Sequence, residues 1–295
     1  EMKMKVEMMN ASASSLSNRR QALQRVLGVG YVMASSPVMS QSAIRTSSEG
    51  LSTQEVMVER DGFKFPVFVA RPKDQTNVPV VLVVSEIFGV HEYIADVARR
   101  FAREGYCAIA PELFARQGDP SEYAQLSKLL SEVVDKVPDE QVMADLDACV
   151  LWAQEQGFDV NKLGINGFCW GGRVAWLYAA HQKKLKAAVA WYGRTTGVHS
   201  SLTPTHPIER LSNLKAPVLG LYGAQDASIP LAVLDQFKAQ MAAQVNSGVQ
   251  AVKQSRLVIY PDVGHAFHAD YRATYNPVVA KDGWVKTLDW FKAWL

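Results

Sequence analysis

Residues 163–172 read LGINGFCWGG. The apolar residues before Gly167 predict a strand, those after Gly171 predict a helix, and a tight Gly-x-Cys-x-Gly-Gly turn joins the two. A turn this sharp holds Cys169 in a strained backbone conformation, and a side chain at either flanking glycine would collide with the neighbouring strand or helix. Cys169 would then project from the turn at a helix N-terminus, where the helix dipole favours a thiolate.

A buried structural cysteine in a glycine-rich turn is the alternative interpretation of Cys169. Agreement between the strand, turn and helix signals favours a nucleophile, and no Gly-x-Ser-x-Gly occurs in the chain to supply a competing serine. Such a corner is typical of the α/β-hydrolase fold, here with cysteine in the place of the usual serine.

The pattern on both sides of this corner predicts the rest of the fold. Pro79 to Ser85 is a continuous apolar, β-branched run that suits a strand buried on both faces. Strands alternating with helices indicate a mostly parallel central sheet flanked by helices on both faces. Pro66 places the second strand near a sheet edge, and Asp61-Gly62 forms the turn before it. The predicted strands are residues 54–59, 63–69, 79–85, 106–110, 162–166, 186–191, 217–222 and 256–260. The predicted helices cover residues 94–101, 142–153, 172–181, 231–241 and 284–295.

Composition excludes several classes of protein. The chain has 295 residues, of which 48% are hydrophobic and 20% charged, as is ordinary for a soluble globular protein. The net charge of +2 derives from residues 1–50, so no basic nucleic-acid face is expected. Three cysteines without a CxxC pair indicate neither a disulfide framework nor a zinc site. The chain contains no run of about 18 apolar residues, so a stable membrane span is not expected.

The N-terminal residues have the layout of an export signal. Asn18-Arg19-Arg20 precedes a mildly apolar stretch, Val26 to Ala34, and then Ser35-Ser36-Pro37. The paired arginines resemble a twin-arginine leader, which would make the protein periplasmic or exported. The alternative is a disordered tail on a cytoplasmic protein. We therefore expect a leader or tail over residues 1–50 and one catalytic domain, a monomer, over residues 51–295.

A thiol nucleophile requires a base and a group that orients the base. In this fold they follow in the chain order nucleophile, acid, histidine. Asp226 comes just after the strand at 217–222, and His265 comes just after the strand at 256–260. Asp262 is an alternative acid, but it is too close in sequence to reach His265 from the expected side. The other histidines are interpreted as structural or solvent-facing: His91, His181, His199, His206 and His268. Of these, His268 could also line a pocket.

The loop after the buried strand, residues 85–90, should lie beside the cysteine turn. The backbone N–H groups of Ile87 and Trp170 would form an oxyanion hole, because one donor comes from this loop and one from the residue after the nucleophile. Glu86 puts a carboxylate at the end of an apolar strand, and a capping or surface role is its alternative.

Five blocks, in order from about Val56 to the C-terminus, resemble the dienelactone hydrolase (carboxymethylenebutenolidase) family. The blocks are Glu86-Ile87-Phe88-Gly89, Ala110-Pro111-Glu112-Leu113-Phe114, Gly167-Phe168-Cys169-Trp170-Gly171-Gly172, Gly223-x-x-Asp226 and Gly264-His265-x-Phe267. The resemblance implies a hydrolase of small esters or lactones without metal or organic cofactor. It implies Cys169 as nucleophile, His265 as base, Asp226 as orienting acid, and Glu86 in contact with the resting thiol until substrate displaces it.

The substrate pocket departs from the family pattern. The best-studied members hold a substrate carboxylate with arginines, one of them shortly after the catalytic histidine, where this chain has Ala269 and Asp270. The candidate arginines here are Arg116, Arg194 and Arg272. An apolar or aromatic ester would suit the nearby aromatic side chains, each of which could equally belong to the core: Phe88, Trp170, Trp191, Tyr192 and Phe267.

Two other functions use the same fold. A catalytically silent binding or sensor protein is disfavoured, since it would not need the complete set Cys169, Asp226 and His265. A thiol redox protein is disfavoured because no resolving cysteine lies near Cys169.

Overall fold

The computed structural model describes residues 43–295, which build one sheet covered by helices. The strands are β1 (Leu51–Arg60), β2 (Phe63–Pro72), β3 (Pro79–Val84), β4 (Cys107–Pro111), β5 (Asp159–Phe168), β6 (Leu185–Trp191), β7 (Val218–Gly223) and β8 (Arg256–Tyr260). The helices are α1 (Glu92–Arg103), α2 (Leu126–Glu132), α3 (Asp139–Glu155), α4 (Trp170–His181), α5 (Pro207–Arg210), α6 (Leu231–Asn246), α7 (Gln250–Gln254) and α8 (Pro277–Trp294). Short 3-10 turns occupy Pro120–Glu122, Val134–Lys136 and Leu211–Asn213.

The eight strands lie in the order β1-β2-β4-β3-β5-β6-β7-β8. β1 and β2 form an antiparallel hairpin, β2 pairs antiparallel with β4, and the remaining pairs are parallel. Pro66 lies in β2, beside the edge strand, just before the ladder with β4 begins at Val67. Its missing N–H therefore costs no ladder bond. The predicted α/β-hydrolase sheet, mostly parallel, is confirmed.

Alternate side chains of β3 show that both faces of the sheet are buried. Val80, Leu82 and Val84 pack into the core shared with α3 and α4. Val81 and Val83 pack into the opposite core, with α1 and α8. Side chains of a strand alternate between faces, so a strand covered on both sides must be apolar throughout, as this one is.

The structure adds elements that the periodicity does not reveal. Helices α2, α5 and α7 were not predicted, because they are four to seven residues long and too short for a clear 3.6-residue period. Helix α4 begins at Trp170, two residues before the predicted start, so the turn runs directly into the helix.

Ordered contacts begin before the predicted domain boundary at Leu51. Thr46 donates two hydrogen bonds to Asp96 of α1, and Arg103 donates to the carbonyl of Ser47. The Asn18-Arg19-Arg20 motif lies outside the described residues, so the leader and export remain predictions, as does the monomeric state. Among the helices of residues 43–295, none combines the length and apolarity needed to cross a membrane.

Candidate active site

The cysteine turn is as tight as the sequence predicts. Cys169 has φ 55° and ψ −113°, and it is the N-cap of α4. A Cβ on Gly167 would lie 1.9 Å from the carbonyl oxygen of Gly171, and one on Gly171 would lie 2.4 Å from that of Val84. Only glycine therefore allows the strand and helix to approach this closely, and the approach presents the thiol at the carboxyl end of the sheet.

Three predicted side chains meet at this edge. Nε2 of His265 lies 3.1 Å from Sγ of Cys169, and Nδ1 of His265 lies 2.6 Å from Oδ2 of Asp226. Asp226 follows β7 and His265 follows β8, so neighbouring parallel strands bring them together. Asp226, not Asp262, is the acid that contacts the histidine.

The charges of these groups are coupled. Burial disfavours ionised Asp226, but hydrogen bonds from His265 and Ser228 outweigh it and lower the pKa of this carboxyl. Burial also opposes protonation of His265, yet hydrogen bonds with Asp226 and Cys169 raise the pKa of its imidazole to about 9. The imidazole therefore carries a proton at neutral pH, and an imidazolium against Sγ stabilises a thiolate.

The other two cysteines differ from Cys169. Burial raises the pKa of Cys107 to about 12 and that of Cys149 well above its usual value. Both are buried free thiols, whereas Cys169 is partly exposed. Reactivity requires an accessible thiolate, so among the cysteines of residues 43–295 only Cys169 has an exposure that suits reaction at sulfur.

Ser228 is a member of the site that the sequence analysis missed. Its hydroxyl donates to Oδ1 of Asp226 at 2.6 Å and lies 3.2 Å from Nδ1 of His265, and its backbone N–H also donates to Asp226. A side chain accepting from the N–H two residues later is an Asx-turn, a local signal that could have found this residue. Ser228 fixes the carboxylate that orients His265.

The predicted oxyanion donors are available. Trp170 is the first residue of α4, and Ile87 lies in the loop after β3. Within residues 43–295 neither backbone N–H donates a hydrogen bond to the protein. Glu112 shapes this loop: its carboxylate accepts from the N–H of Val90, and a Cβ on Gly89 would lie 2.6 Å from it.

Glu86 has two side-chain partners in the structure. It is buried, with Oε2 lying 3.1 Å from Nε2 of His91, while Oε1 accepts a hydrogen bond from the hydroxyl of Tyr271. Burial disfavours its charge, but His91, a backbone hydrogen bond and the hydroxyl of Tyr271 together outweigh burial and lower the pKa of the carboxyl. Among the described residues no hydrogen bond joins Glu86 to Cys169, so the expected role of Glu86 at the resting thiol stays a prediction. His91 and Tyr271 occupy both oxygens, and the thiol pairs with His265.

The aromatic candidates divide into two groups. Trp191 and Phe267 are fully buried, and the indole N–H of Trp191 donates to Asn166. They belong to the core, which is the alternative that the sequence leaves open for each aromatic candidate. Tyr192 is also buried, but its ring centroid lies 5.1 Å from that of His265. Phe88 is partly buried in the loop that carries Ile87.

The candidate arginines also divide. Arg116 forms an ion pair with buried Asp145 and lies over the ring of Phe63, so it is not available to a substrate carboxylate, contrary to the prediction. Arg194 is exposed and lines a cavity of about 270 Å³ with Thr195 and Ser228. Within residues 43–295 no group of His, Cys, Asp and Glu side chains is arranged to hold a metal ion.

The chain is similar to known proteins over most of its length. Residues 65–295 match the model of the dienelactone hydrolase family. A Methylorubrum extorquens protein named "Putative carboxymethylenebutenolidase" is 47% identical over 287 residues, covering 97% of this chain and 96% of its own length. An Escherichia coli K12 protein of the same name is 48% identical over 264 residues, covering 89% of this chain and 94% of its own.

A crystal structure of a "Putative Dienelactone Hydrolase" from Klebsiella pneumoniae superposes with a TM-score of 0.79 and 50% identity. The match covers 83% of this chain and 99% of that one. The family match covers every element from β3 to the C-terminus, including Cys169, Asp226 and His265. The chain belongs to the dienelactone hydrolase family and is a hydrolase of carboxylic esters or lactones that acts on a small-molecule substrate.

Proposed function

We propose that this protein opens a dienelactone-like lactone or cleaves a small carboxylic ester through a thioester formed on Cys169. The observation that carries the proposal is the hydrogen-bonded series from Sγ of Cys169 through His265 to Asp226, at 3.1 and 2.6 Å. A nucleophile, a base and an orienting acid within hydrogen-bond reach are the arrangement that covalent acyl transfer requires.

In the first half of the reaction, the thiolate of Cys169 attacks the substrate carbonyl and a carbon–sulfur bond forms. The N–H groups of Ile87 and Trp170 stabilise the negative oxygen of the tetrahedral intermediate. As the intermediate collapses, the carbon–oxygen bond breaks and protonated His265 donates its proton to the departing oxygen. With a lactone, that oxygen stays attached to the acyl group; with an open ester it leaves as the alcohol.

In the second half, neutral His265 removes a proton from water, which attacks the thioester carbonyl. The carbon–sulfur bond breaks, the carboxylic acid departs, and the thiolate again faces an imidazolium. Asp226 stays ionised throughout and stabilises the charged histidine. Glu86, anchored to His91 and Tyr271, holds the backbone immediately before Ile87 and thereby the oxyanion donor.

A burst experiment tests the thioester. Mixing the enzyme with excess p-nitrophenyl ester should release a rapid burst of about one p-nitrophenolate per active site before the steady rate, because acylation of Cys169 by an activated ester should be faster than hydrolysis of the thioester. Stopped-flow absorbance measures the burst, and a lactone panel then identifies the preferred substrate. Saturable ligand binding without turnover of any ester or lactone would instead favour the silent binding protein.

The alkaline limit of activity should follow His265. Its pKa of about 9 means that the imidazolium loses its proton as pH rises through 9, so kcat/KM should fall there because no proton remains for the leaving oxygen. Asp226→Asn removes the ionised partner that helps to raise this pKa. It should move the alkaline limb to lower pH and reduce kcat about 10³-fold or more.

The matched control is Asp262→Asn, which removes the other nearby carboxylate and should leave both rate and limb unchanged. Profiles of kcat/KM against pH for the wild type, Asp226→Asn and Asp262→Asn decide which carboxylate acts on His265. An unshifted limb in Asp226→Asn, or a shifted one in Asp262→Asn, would contradict the assignment of Asp226.

A further inference from the structure

The loop that carries His265 is bonded to helix α1 at two buried points. Residues 264–275, which we call the histidine loop, connect β8 to α8. Nδ1 of His268 lies 2.7 Å from the hydroxyl of Tyr93, and Oδ2 of Asp270 accepts from Nη2 of Arg100 at 2.6 Å. Helix α1 therefore serves as the platform on which the histidine loop rests.

The chain before β1 reaches the same platform. Residues 44–47, which we call the strap, lie across α1. The backbone N–H of Thr46 donates to Oδ1 of Asp96 at 2.5 Å and its hydroxyl donates to Oδ2 at 3.1 Å, while the N–H of Ile44 donates to Asp270. Nε of Arg100 donates to Oδ2 of Asp96 at 2.7 Å. A continuous set of hydrogen bonds therefore runs from the strap to Asp96, from Asp96 to Arg100, and from Arg100 to Asp270.

Both carboxylates in this series are almost completely buried: Asp96 is 0% exposed and Asp270 is 1% exposed. Asp96 is also paired with Arg99, whose Nη2 lies 3.0 Å from Oδ1, whereas Arg100 is the arginine that contacts Asp270. Removing a partner from a buried carboxylate weakens the compensation of its charge, so the bonds of the series support one another. Burial raises the pKa of Asp270, while Arg100 and the N–H of Ile44 oppose this shift and favour the ionised carboxylate.

The histidine loop needs such support because its backbone is strained beside the catalytic residue. Ala266 has φ 61°, a left-handed conformation that non-glycine residues adopt only when the surrounding structure imposes it. Asp270 lies five residues beyond His265 in the same loop. Release of Asp270 would let Ala266 relax and carry the imidazole away from Sγ of Cys169.

We propose that Arg100 and Asp270 are positioning residues for His265 and that the strap completes their support, so that the segment before Leu51 contributes to catalysis. The proposal rests on the proposed function insofar as it concerns turnover. It concerns no group that touches substrate, and its effect should appear in kcat and in the state of the thiol rather than in KM.

The first test is Asp270→Asn, which keeps the shape of the side chain and removes its charge. We expect kcat to fall about tenfold with KM unchanged, since small misplacements of a catalytic group are costly. The rate of Cys169 alkylation by iodoacetamide at neutral pH should fall in parallel, because a displaced imidazolium no longer stabilises the thiolate. Asp235→Asn is the control: it breaks an exposed ion pair with Lys238 and should change neither quantity.

The second test addresses the strap. Thr46→Pro removes the N–H that bonds Asp96, whereas Ser48→Pro adds the same ring at a position whose N–H donates no hydrogen bond within residues 43–295. We expect Thr46→Pro to lower kcat and alkylation severalfold and Ser48→Pro to leave them unchanged. If the strap acts through Asp270, the two substitutions are not independent. The double variant Thr46→Pro/Asp270→Asn should then lower kcat by a smaller factor than the product of the factors for the two single variants.

Circular dichroism and thermal unfolding establish whether each variant is folded. If Asp270→Asn does not fold, the comparison of Thr46→Pro with Ser48→Pro in the exposed strap tests the proposal. Wild-type kcat and alkylation rates in folded Thr46→Pro would overturn the proposal, as would multiplicative losses in the double variant. Alkylation requires no substrate. If the wild-type protein hydrolysed no ester, the proposed function would fail while the alkylation rates still decided whether the strap positions His265.

Discussion

Replacing Cys169 with alanine should abolish ester hydrolysis while the protein stays folded. The expected loss in kcat is about 10⁴-fold or more, since a triad that lacks its nucleophile retains only the contribution of binding and the oxyanion hole. Cys169 is partly exposed at the turn, so removal of its sulfur leaves no large cavity. Steady-state hydrolysis of a p-nitrophenyl ester, measured beside a thermal unfolding curve, checks both halves of the expectation.

Cys149→Ala is the matched control. It removes a buried sulfur from the core between α3 and the sheet, so it should lower the unfolding temperature and leave kcat close to that of the wild type. Substantial turnover by folded Cys169→Ala would show that another group attacks the substrate.

Gly167→Ala should prevent the protein from folding or destabilise it by about 4 kcal/mol or more. The added Cβ would lie 1.9 Å from the carbonyl oxygen of Gly171, a backbone atom that cannot move without displacing α4 from β5. Urea unfolding of the purified variant, or its absence from the soluble fraction, measures the effect.

Gly248→Ala provides the comparison, because Gly248 has φ 87° but nothing within 4 Å of the added Cβ. Its cost should be only about 1 kcal/mol, that of a left-handed non-glycine residue. Equal stabilities for the two variants would mean that the strand and helix are not packed as closely as described.

Local patterns sufficed to predict the sheet and the triad. The last strand has the predicted bounds, Arg256–Tyr260, because a β-branched run ends at a turn signal. Asp226 and His265 could be found for a topological reason: polar residues just after parallel strands must meet at one edge of the sheet. These inferences need only the sequence near each residue and the rule that strands connected by helices lie parallel in one sheet.

Contacts between distant segments could not be predicted in this way. Arg116 has a carboxylate partner 29 positions away, and Asp270 has an arginine partner 170 positions away, so neither pairing leaves a local pattern. The sequence leaves Trp191 and Phe267 open between core and pocket because a core and an apolar pocket require the same side chains. Only the three-dimensional packing separates the two.

Glu86 shows where family resemblance stops being sufficient. The loop sequence places the carboxylate beside the site, but its partners come from the start of α1 and from the histidine loop. His91 directly precedes α1, and the sequence predicts a structural or solvent-facing role for it. Its Nε2 lies 3.1 Å from Oε2 of Glu86, so this oxygen of the buried carboxylate has a partner other than the thiol.

The most direct test of the central claim, that Cys169 is the catalytic nucleophile, is to follow ester hydrolysis against the number of carbamidomethyl groups that iodoacetamide adds. Cys107 and Cys149 are buried, so intact-mass spectrometry should record one addition, and peptide mapping should place it on Cys169. We predict that activity reaches zero when this single group has been added. Substrate should slow the alkylation of Cys169 and the loss of activity to the same extent. Full activity in protein that is completely alkylated at Cys169 would contradict the account.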